Sequence, residues 1–388
     1  MILAALLLPV AVVAIVFAIQ RLRLPAFLAL MIVVVAYGLG ASMTWQSVGR
    51  AFGLGFASAM EQTGLLVVAG SLAATLLLKR PLGATGTVLM GALGGLGGTA
   101  AGALALLQPV GRAVALALSV LVVHALVVPS PLAVAAMSVL KADFRTTLAI
   151  GGSVALLLLI VLWFRTRQTD LSGEILSVGW LAILMPLGLL IAQSVAQMPT
   201  EPLGKGGARE LYTGISRPLI LAVLTIALAM VLSRRRQPQA LSDMSWAPLL
   251  LAVGAAGGLA RVFDETGMAE LLAEQTLDPR LGLLCPFLAA AIVKTMQGNS
   301  LSAVLTASGM VEPMLPALGL DSATGRALAA AATAAGSIAL VHVNDPLFWV
   351  AASVGKLSPL RALGLITVGS GVVAVAALVL LMAIRLVL

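Results

Sequence analysis

Long apolar runs, interrupted by short polar or basic stretches, set the pattern of this chain. A bilayer core takes roughly 20 helical residues to cross. Runs of about that reach lie at Met1–Ile19, Leu24–Met43, Thr63–Leu78, Leu82–Leu96, Ala113–Leu140 and Thr147–Phe164. Others lie at Ile175–Gln197, Ser216–Leu232, Trp246–Val262, Leu281–Met296, Ser322–Val354 and Arg361–Leu388. They predict an all-α polytopic membrane protein of about 12 (11–13) transmembrane helices. Met1–Ile19 has no basic stretch before it and is long enough to span, so it reads as the first membrane helix and not as a cleavable signal.

Two runs, Ala113–Leu140 and Ser322–Val354, are too long for one straight span. Both carry proline where helix should continue: Pro129 and Pro131 in the first, Pro346 in the second. Each predicts a helix broken within the membrane. The stretches between Leu96 and Ala113 and between Met296 and Ser322 are Gly-rich or polar and contain proline. They are too short and too polar for two crossings and predict re-entrant hairpins. Trp45, Trp163, Trp180 and Trp246 fall at span ends, as interfacial aromatics do. The expected organisation is a first membrane half at 1–197, with a hairpin near 97–111 and a helix break near 124–131. A hydrophilic loop follows at 198–215, then a second half at 216–388, with a hairpin near 297–316 and a break near 341–346.

Composition removes the soluble alternatives. Hydrophobic residues make up 61% of the 388, charged residues only 10%, and 39 are glycine. Mean hydropathy is +1.11. A water-soluble fold needs a polar outer layer that this chain cannot supply. Disorder, nucleic-acid binding and a secreted disulfide scaffold are excluded as well; Cys285 is the one cysteine. The net charge of +8 comes from clusters between apolar runs, at Arg21 and Arg23, Lys79 and Arg80, Arg165 and Arg167, and Arg234 to Arg236. That is the pattern of loops held on the cytoplasmic side, and it places the protein in the inner (plasma) membrane as a multi-pass protein.

The chain repeats itself. Val128–Gly151 aligns without gaps to Val343–Ile366, and Val128, Pro131, Leu132, Ala136, Ser138 and Lys141 recur as Val343, Pro346, Leu347, Ala351, Ser353 and Lys356. Repeats with interrupted helices at matching positions mark secondary transporters, whose site lies at the repeat interface near the midplane. The basic clusters imply that the halves are inverted. Twelve crossings set matching segments an even number of spans apart, which conflicts with inversion; the amphipathic stretch Trp45–Met60 is one segment open to recounting.

Charges within lipid are costly and mark functional candidates. Lys294 could attract an anion, or snorkel from a helix end. Gln297, Gly298, Asn299 and Ser300 read as a loop opening a half-helix, whose free N–H groups and dipole favour a negative group; Asn299 or Ser300 could equally be a plain cap. Ser302 and Thr306 share one face of that half-helix. In His342-Val343-Asn344-Asp345-Pro346, Asp345 caps a helix that restarts at Pro346, and Ser130-Pro131 does the same in the first half. Asp345 is a cap or a proton-handling group. His342, its rough counterpart His124, and Glu312 at the end of the second hairpin are further proton candidates, each with a structural alternative. The glycines of Gly91–Gly102 precede no Gly-Lys-Ser/Thr, so they form no phosphate loop. Two separated histidines and one cysteine make no zinc site, and no cofactor is expected.

The second half resembles the gluconate permease (GntP) family of proton-coupled sugar-acid symporters, within the ion transporter superfamily. The residues that carry this are Gly254-Ala255-Ala256-Gly257-Gly258 with Asp264-Glu265-Thr266-Gly267, Lys294-Thr295-Met296-Gln297-Gly298-Asn299-Ser300, Thr306–Val311, and Gly336-Ser337 followed by His342-Val343-Asn344-Asp345 and Phe348-Trp349. The first half carries a reduced version in His124 and Pro129-Ser130-Pro131, and Ala103–Leu107 has no acid where the family has one. The resemblance implies two repeats with hairpins and broken helices, and a homodimer. The expected protein is a symporter, not an enzyme, that carries a small organic carboxylate, such as a gluconate-like sugar acid or hydroxy acid, with a proton. Lys294 and the half-helix at Asn299–Ser300 would hold the carboxylate, Ser337 and Asn344 the hydroxyls, and Asp345 with His342 the proton. Sodium-coupled carboxylate or inorganic-anion transport on a similar fold is the alternative.

Overall fold

Caps and prolines decide where the helices of this protein start. The structure is a computed structural model that describes residues 2–77, 82–110, 112–167, 178–233, 246–267 and 279–388. Among the described residues it is helical throughout, with no strand. Lys79, Arg80 and Arg234 to Arg236, and the start of the span expected at Ile175–Gln197, lie outside the described residues.

Helices α1 (Ile2–Gln20) and α2 (Ala26–Gly40) pack together. Thr44 caps α3 (Trp45–Ala59), its hydroxyl accepting from the Ser47 N–H at 3.1 Å. A π turn (Met60–Gly64) then carries the chain into α4 (Leu65–Leu77) without a stop. The span expected from Thr63 therefore begins at Trp45. The mixed polarity of Trp45–Met60 hides it from a hydropathy reading.

Two short helices, α5 (Ala84–Gly95) and α6 (Ala100–Leu106), meet at a turn where Gly98 takes φ +66° and Thr99 caps α6. Next, α7 (Ala113–Leu126) stops before α8 (Pro131–Val139). Ser130 caps α8 and its hydroxyl also donates to the His124 carbonyl at 2.6 Å, so one side chain closes both ends of the break. Then come α9 (Phe144–Arg167), α10 (Leu181–Ala196), α11 (Gly207–Ile215) and α12 (Pro218–Leu232). The hydrophilic stretch at 198–215 is thus partly helical, and α11 has no buried residue.

The second half opens with α13 (Ala247–Asp264). A helical hairpin follows, of α14 (Leu284–Gln297) and α15 (Ser300–Val311). After it, α16 (Ala323–Gly336) and α17 (Pro346–Val354) flank a nine-residue stretch, 337–345, that is not regular helix. The chain closes with α18 (Pro359–Ala362), a second π turn (Leu363–Thr367) and α19 (Val368–Val387). Among the described residues, six helices are long and apolar enough to cross a membrane, or seven if the bent pair α11–α12 counts as one. Leu3, Val10 and Phe17 on α1, Val223 on α12 and Val372 and Val379 on α19 point outward, as they do where the solvent is lipid.

Small residues bring the central helices close. The alanine-rich α16 is almost wholly buried among α14, α8, α9 and α19. At the α3–α13 crossing, a Cβ on Gly55 would sit 2.2 Å from the Gly257 carbonyl oxygen, and one on Gly257 would sit 2.6 Å from that of Gly55. The backbones touch there, which glycine alone permits.

Candidate functional site

The second hairpin turns at Gly298. Its φ of +66° ends α14 in the left-handed conformation, and its N–H bonds the Lys294 carbonyl at 2.9 Å. No larger residue fits, since a Cβ would lie 2.5 Å from the Asn344 carbonyl oxygen. Asn299 then caps α15, its Oδ1 accepting from the N–H groups of Leu301 (2.9 Å) and Ser302 (3.3 Å).

This tip is stitched to the break between α16 and α17. Lys294, 1% exposed, donates from Nζ to Asp345 Oδ2 at 2.5 Å and to the Gly298 carbonyl at 2.8 Å. The other carboxylate oxygen of Asp345 caps α17 by accepting from the Leu347 N–H at 2.8 Å. Asn344 Nδ2 donates to the carbonyls of Thr295 (3.1 Å) and Met296 (3.4 Å), and His342 Nε2 also meets the Thr295 carbonyl at 3.2 Å. A buried lysine needs a charge partner and a buried carboxylate needs donors. Each side chain meets the other's need, and the irregular backbone is pinned as a result.

Beside this knot lies a cavity of about 560 Å³, within the usual range for a small-molecule site. Both turns reach it, through Gly98 and Thr99 and through Gly298 to Ser300, and both breaks reach it, through Pro131 and through Asp345 and Pro346. Its remaining wall is α3 with the π turn, where Ser58, Gln62 and Thr63 offer polar groups, and α13, where Arg261 and Asp264 do. Arg261 is the cation among the lining residues; Asp264 and Asp345 are the carboxylates. Arg261 donates from Nη1 to Asp264 Oδ2 and from Nε to Glu265 Oε1, both at 3.1 Å. Gln297 Nε2 donates to Asp264 Oδ1 at 2.9 Å. The arrangement can hold a small polar ion between a guanidinium, two carboxylates and the Asn299-capped start of α15.

Of the residues expected at a site, Gln297, Gly298, Asn299, Ser300, His124 and Asp345 line this cavity. His124 is tied by Nδ1 to the Gly95 carbonyl at 3.0 Å. Lys294, His342 and Asn344 stand behind the wall, in the knot. Ser130 is buried in its own break, and Ser337 is fully buried and donates to the Ala334 carbonyl at 2.7 Å. Ser302 lines the cavity but Thr306, one turn on, does not. Glu312 lies away from it, paired with Lys141 at 2.7 Å on the exposed edge of the hairpin. The lysine draws the Glu312 carboxyl below its ordinary range by hydrogen bond and charge. Sequence reasoning left out Arg261, Asp264, Ser58, Gln62, Thr63 and Thr99 as site residues. The signal for the first two was present, as an acid and a base within one turn at the end of an apolar run.

The same hairpin, knot and charged turn are the segments through which the sequence resembles gluconate permeases. Residues 165–387 match the family described as GntP family permease. The chain belongs to that family. Among curated relatives of this GntP-family chain, the low-affinity gluconate transporter of Escherichia coli K12 is 28% identical over 255 residues, 58% of this chain and 56% of the relative. The high-affinity gluconate transporter of the same strain is 25% identical over 178 residues, 43% and 39% respectively. The D-serine transporter DsdX of Escherichia coli O6:H1 is 23% identical over 269 residues, 61% and 59%. The matched segments thus span 39% to 59% of the length of these relatives. Family membership and the apolar helices make this a multi-pass protein of the inner membrane, from a family of permeases and not of enzymes.

Proposed function

We propose that the protein is a secondary active transporter that carries a small organic carboxylate into the cell together with a proton. One observation carries this reading: a single cavity receives both turns and both helix breaks, with charged groups on its wall. Irregular backbone at membrane depth is tolerated where it lines such a cavity. The relatives named for gluconate and for D-serine share one chemical feature, a carboxylate beside a carbon that bears a hydrogen-bonding group. The proposed substrate is therefore a hydroxy acid or sugar acid of that kind, with its carboxylate toward Arg261 and the start of α15.

The proposal includes an inverted repeat. If α5 and α14 are arms of re-entrant hairpins and not crossings, ten crossings remain, and the broken helices α7–α8 and α16–α17 stand an odd number of spans apart. They then run in opposite directions. The loop with Arg21 and Arg23, and the ends of α4, α9 and α12, fall on one face, which the positive-inside rule makes cytoplasmic. Local devices support the pairing: left-handed glycine then cap at Gly98-Thr99 and Gly298-Asn299, cap then proline at Ser130-Pro131 and Asp345-Pro346, and positive φ at both Lys141 and Lys356. The working unit proposed is a homodimer, with proton and substrate as its small partners and lipid as its solvent.

The test is uptake of labelled D-gluconate, D-glycerate and D-serine by proteoliposomes. A proton gradient, acid outside, is expected to drive accumulation of at least one of them. Accumulation driven by a sodium gradient at constant pH, and not by protons, would replace this reading with sodium-coupled transport.

A further inference from the structure

The ion pair that a dissolved ion can reach from the cavity is not the buried one. Lys294 is 1% exposed on its side chain, and Asp345 has one oxygen on Lys294 and the other on the α17 cap. Arg261 and Asp264 line the cavity with side chains 45% and 29% exposed. They lie three residues apart on α13, with Glu265 on the far side of the guanidinium.

Gln297 completes the group in a telling way. Its amide nitrogen must face Asp264, because an ionised carboxylate accepts and cannot donate. Its Oε1 is then turned away, and it is buried with no hydrogen-bond partner. An amide is the side chain that suits either protonation state of the acid next to it. The nitrogen donates to a carboxylate; after the amide rotates, the oxygen accepts from a carboxylic acid.

From this geometry we propose that Arg261 and Asp264 are an exchange pair: the substrate carboxylate takes Arg261 over from Asp264, and Asp264 takes up the coupling proton. The inference rests on the carboxylate–proton reading above and names the residues that carry it. The charge balance is the reason. Arg261, Asp264 and Glu265 sum to one negative charge, and an anion alone would add a second at close range, in a medium where repulsion is strong. A proton that moves from cavity water to Asp264 cancels that addition. The O–H then donates to Gln297 Oε1, and the substrate remains an anion on Arg261. Each ligand makes the other's entry favourable, which is the thermodynamic requirement for symport.

Among the described residues, the other ionisable groups near Asp264 are these. Glu265 shares Arg261 on the same helix. Tyr37 of α2 meets Phe263 edge-on and donates to the Ala4 carbonyl at 3.2 Å. Lys294 of α14 and Asp345 before α17 hold each other, and His124 of α7 is bonded to Gly95. Arg50 of α3 and Glu61 of the π turn are exposed and do not line the cavity.

The test measures protons directly. Purified protein in weak buffer with a pH indicator receives D-gluconate, and binding is followed in parallel by calorimetry. Wild type is expected to take up a proton with each substrate bound, and Asp264→Asn to bind without uptake and to melt near wild type. Undiminished uptake in Asp264→Asn, or uptake lost in Asp345→Asn and kept in Asp264→Asn, overturns the assignment. Gluconate binding to wild type with no proton uptake overturns the symport reading itself. A second arm needs no substrate. In Arg261→Gln the infrared band of a protonated carboxylic acid is expected near neutral pH, and it should vanish in Arg261→Gln/Asp264→Asn. A band that persists in the double variant, or none in the single, also overturns the pair.

Discussion

Lys294 Nζ and Asp345 Oδ2 lie 2.5 Å apart across 51 residues of sequence, and they bind the tip of a helical hairpin to the start of a half-helix. Two expensive groups thereby become one neutral unit. Removal of one partner strands the other, at a cost of about 3–5 kcal/mol for a buried pair. Lys294→Met should therefore melt far below wild type. Lys294→Met/Asp345→Asn should recover much of the loss, since asparagine keeps the α17 cap. Thermal unfolding of the detergent-solubilised variants checks both.

Gly298→Ala should destabilise by about 1–3 kcal/mol, because a left-handed φ is strained for alanine. The contact with the Asn344 carbonyl adds to that. Gly309→Ala, on the open side of α15 with nothing within 4 Å, should be near neutral. The difference between the two melting temperatures is the measurement.

The Lys141–Glu312 pair predicts a pH effect of definite sign. The folded carboxyl lies below its ordinary value of 4.5 because Lys141 favours the charged form. The contribution is fully present above that value and is lost as pH falls through the folded one. Glu312→Gln should lower stability at neutral pH, and the melting curves of wild type and variant should converge as the pH is taken well below 4.5. Because the pair is exposed, added salt should shrink the neutral-pH difference as well.

What the sequence makes legible here follows from how local the signal is. Asn299, Ser130-Pro131 and Asp345-Pro346 announce their helix starts because a cap and a proline act within one turn. The family is legible from the order of a few such segments. The partner of Lys294 is not, since no spacing rule reaches from 294 to 345. An arm of a re-entrant hairpin would be as apolar as a span, so hydropathy alone does not decide between the two for α5 and α14. Arg261 and Asp264 look like ordinary interfacial charges at a helix end until the fold turns them toward a cavity.

Gly55→Ala should separate α3 from α13, since its Cβ would fall within 3 Å of Gly257 backbone atoms and of the Arg261 Cβ. The expected result is a folded but less stable protein with weakened substrate binding, whereas Gly53→Ala, with open space around it, should bind as wild type does. Binding affinities of the two variants decide it.

The contact of Gly55 with Gly257 also has a mechanical meaning. Two helices whose backbones touch cannot slide past or roll over each other without losing the seam, so α3 and α13 behave as a single plate. Opposite this plate, the second hairpin and the broken helix are fastened into another solid piece by their buried charge pair. In the transport cycle proposed above, access to the space between them would come from rocking one piece against its neighbour, with the bond from Gln297 to Asp264 as the clasp between them.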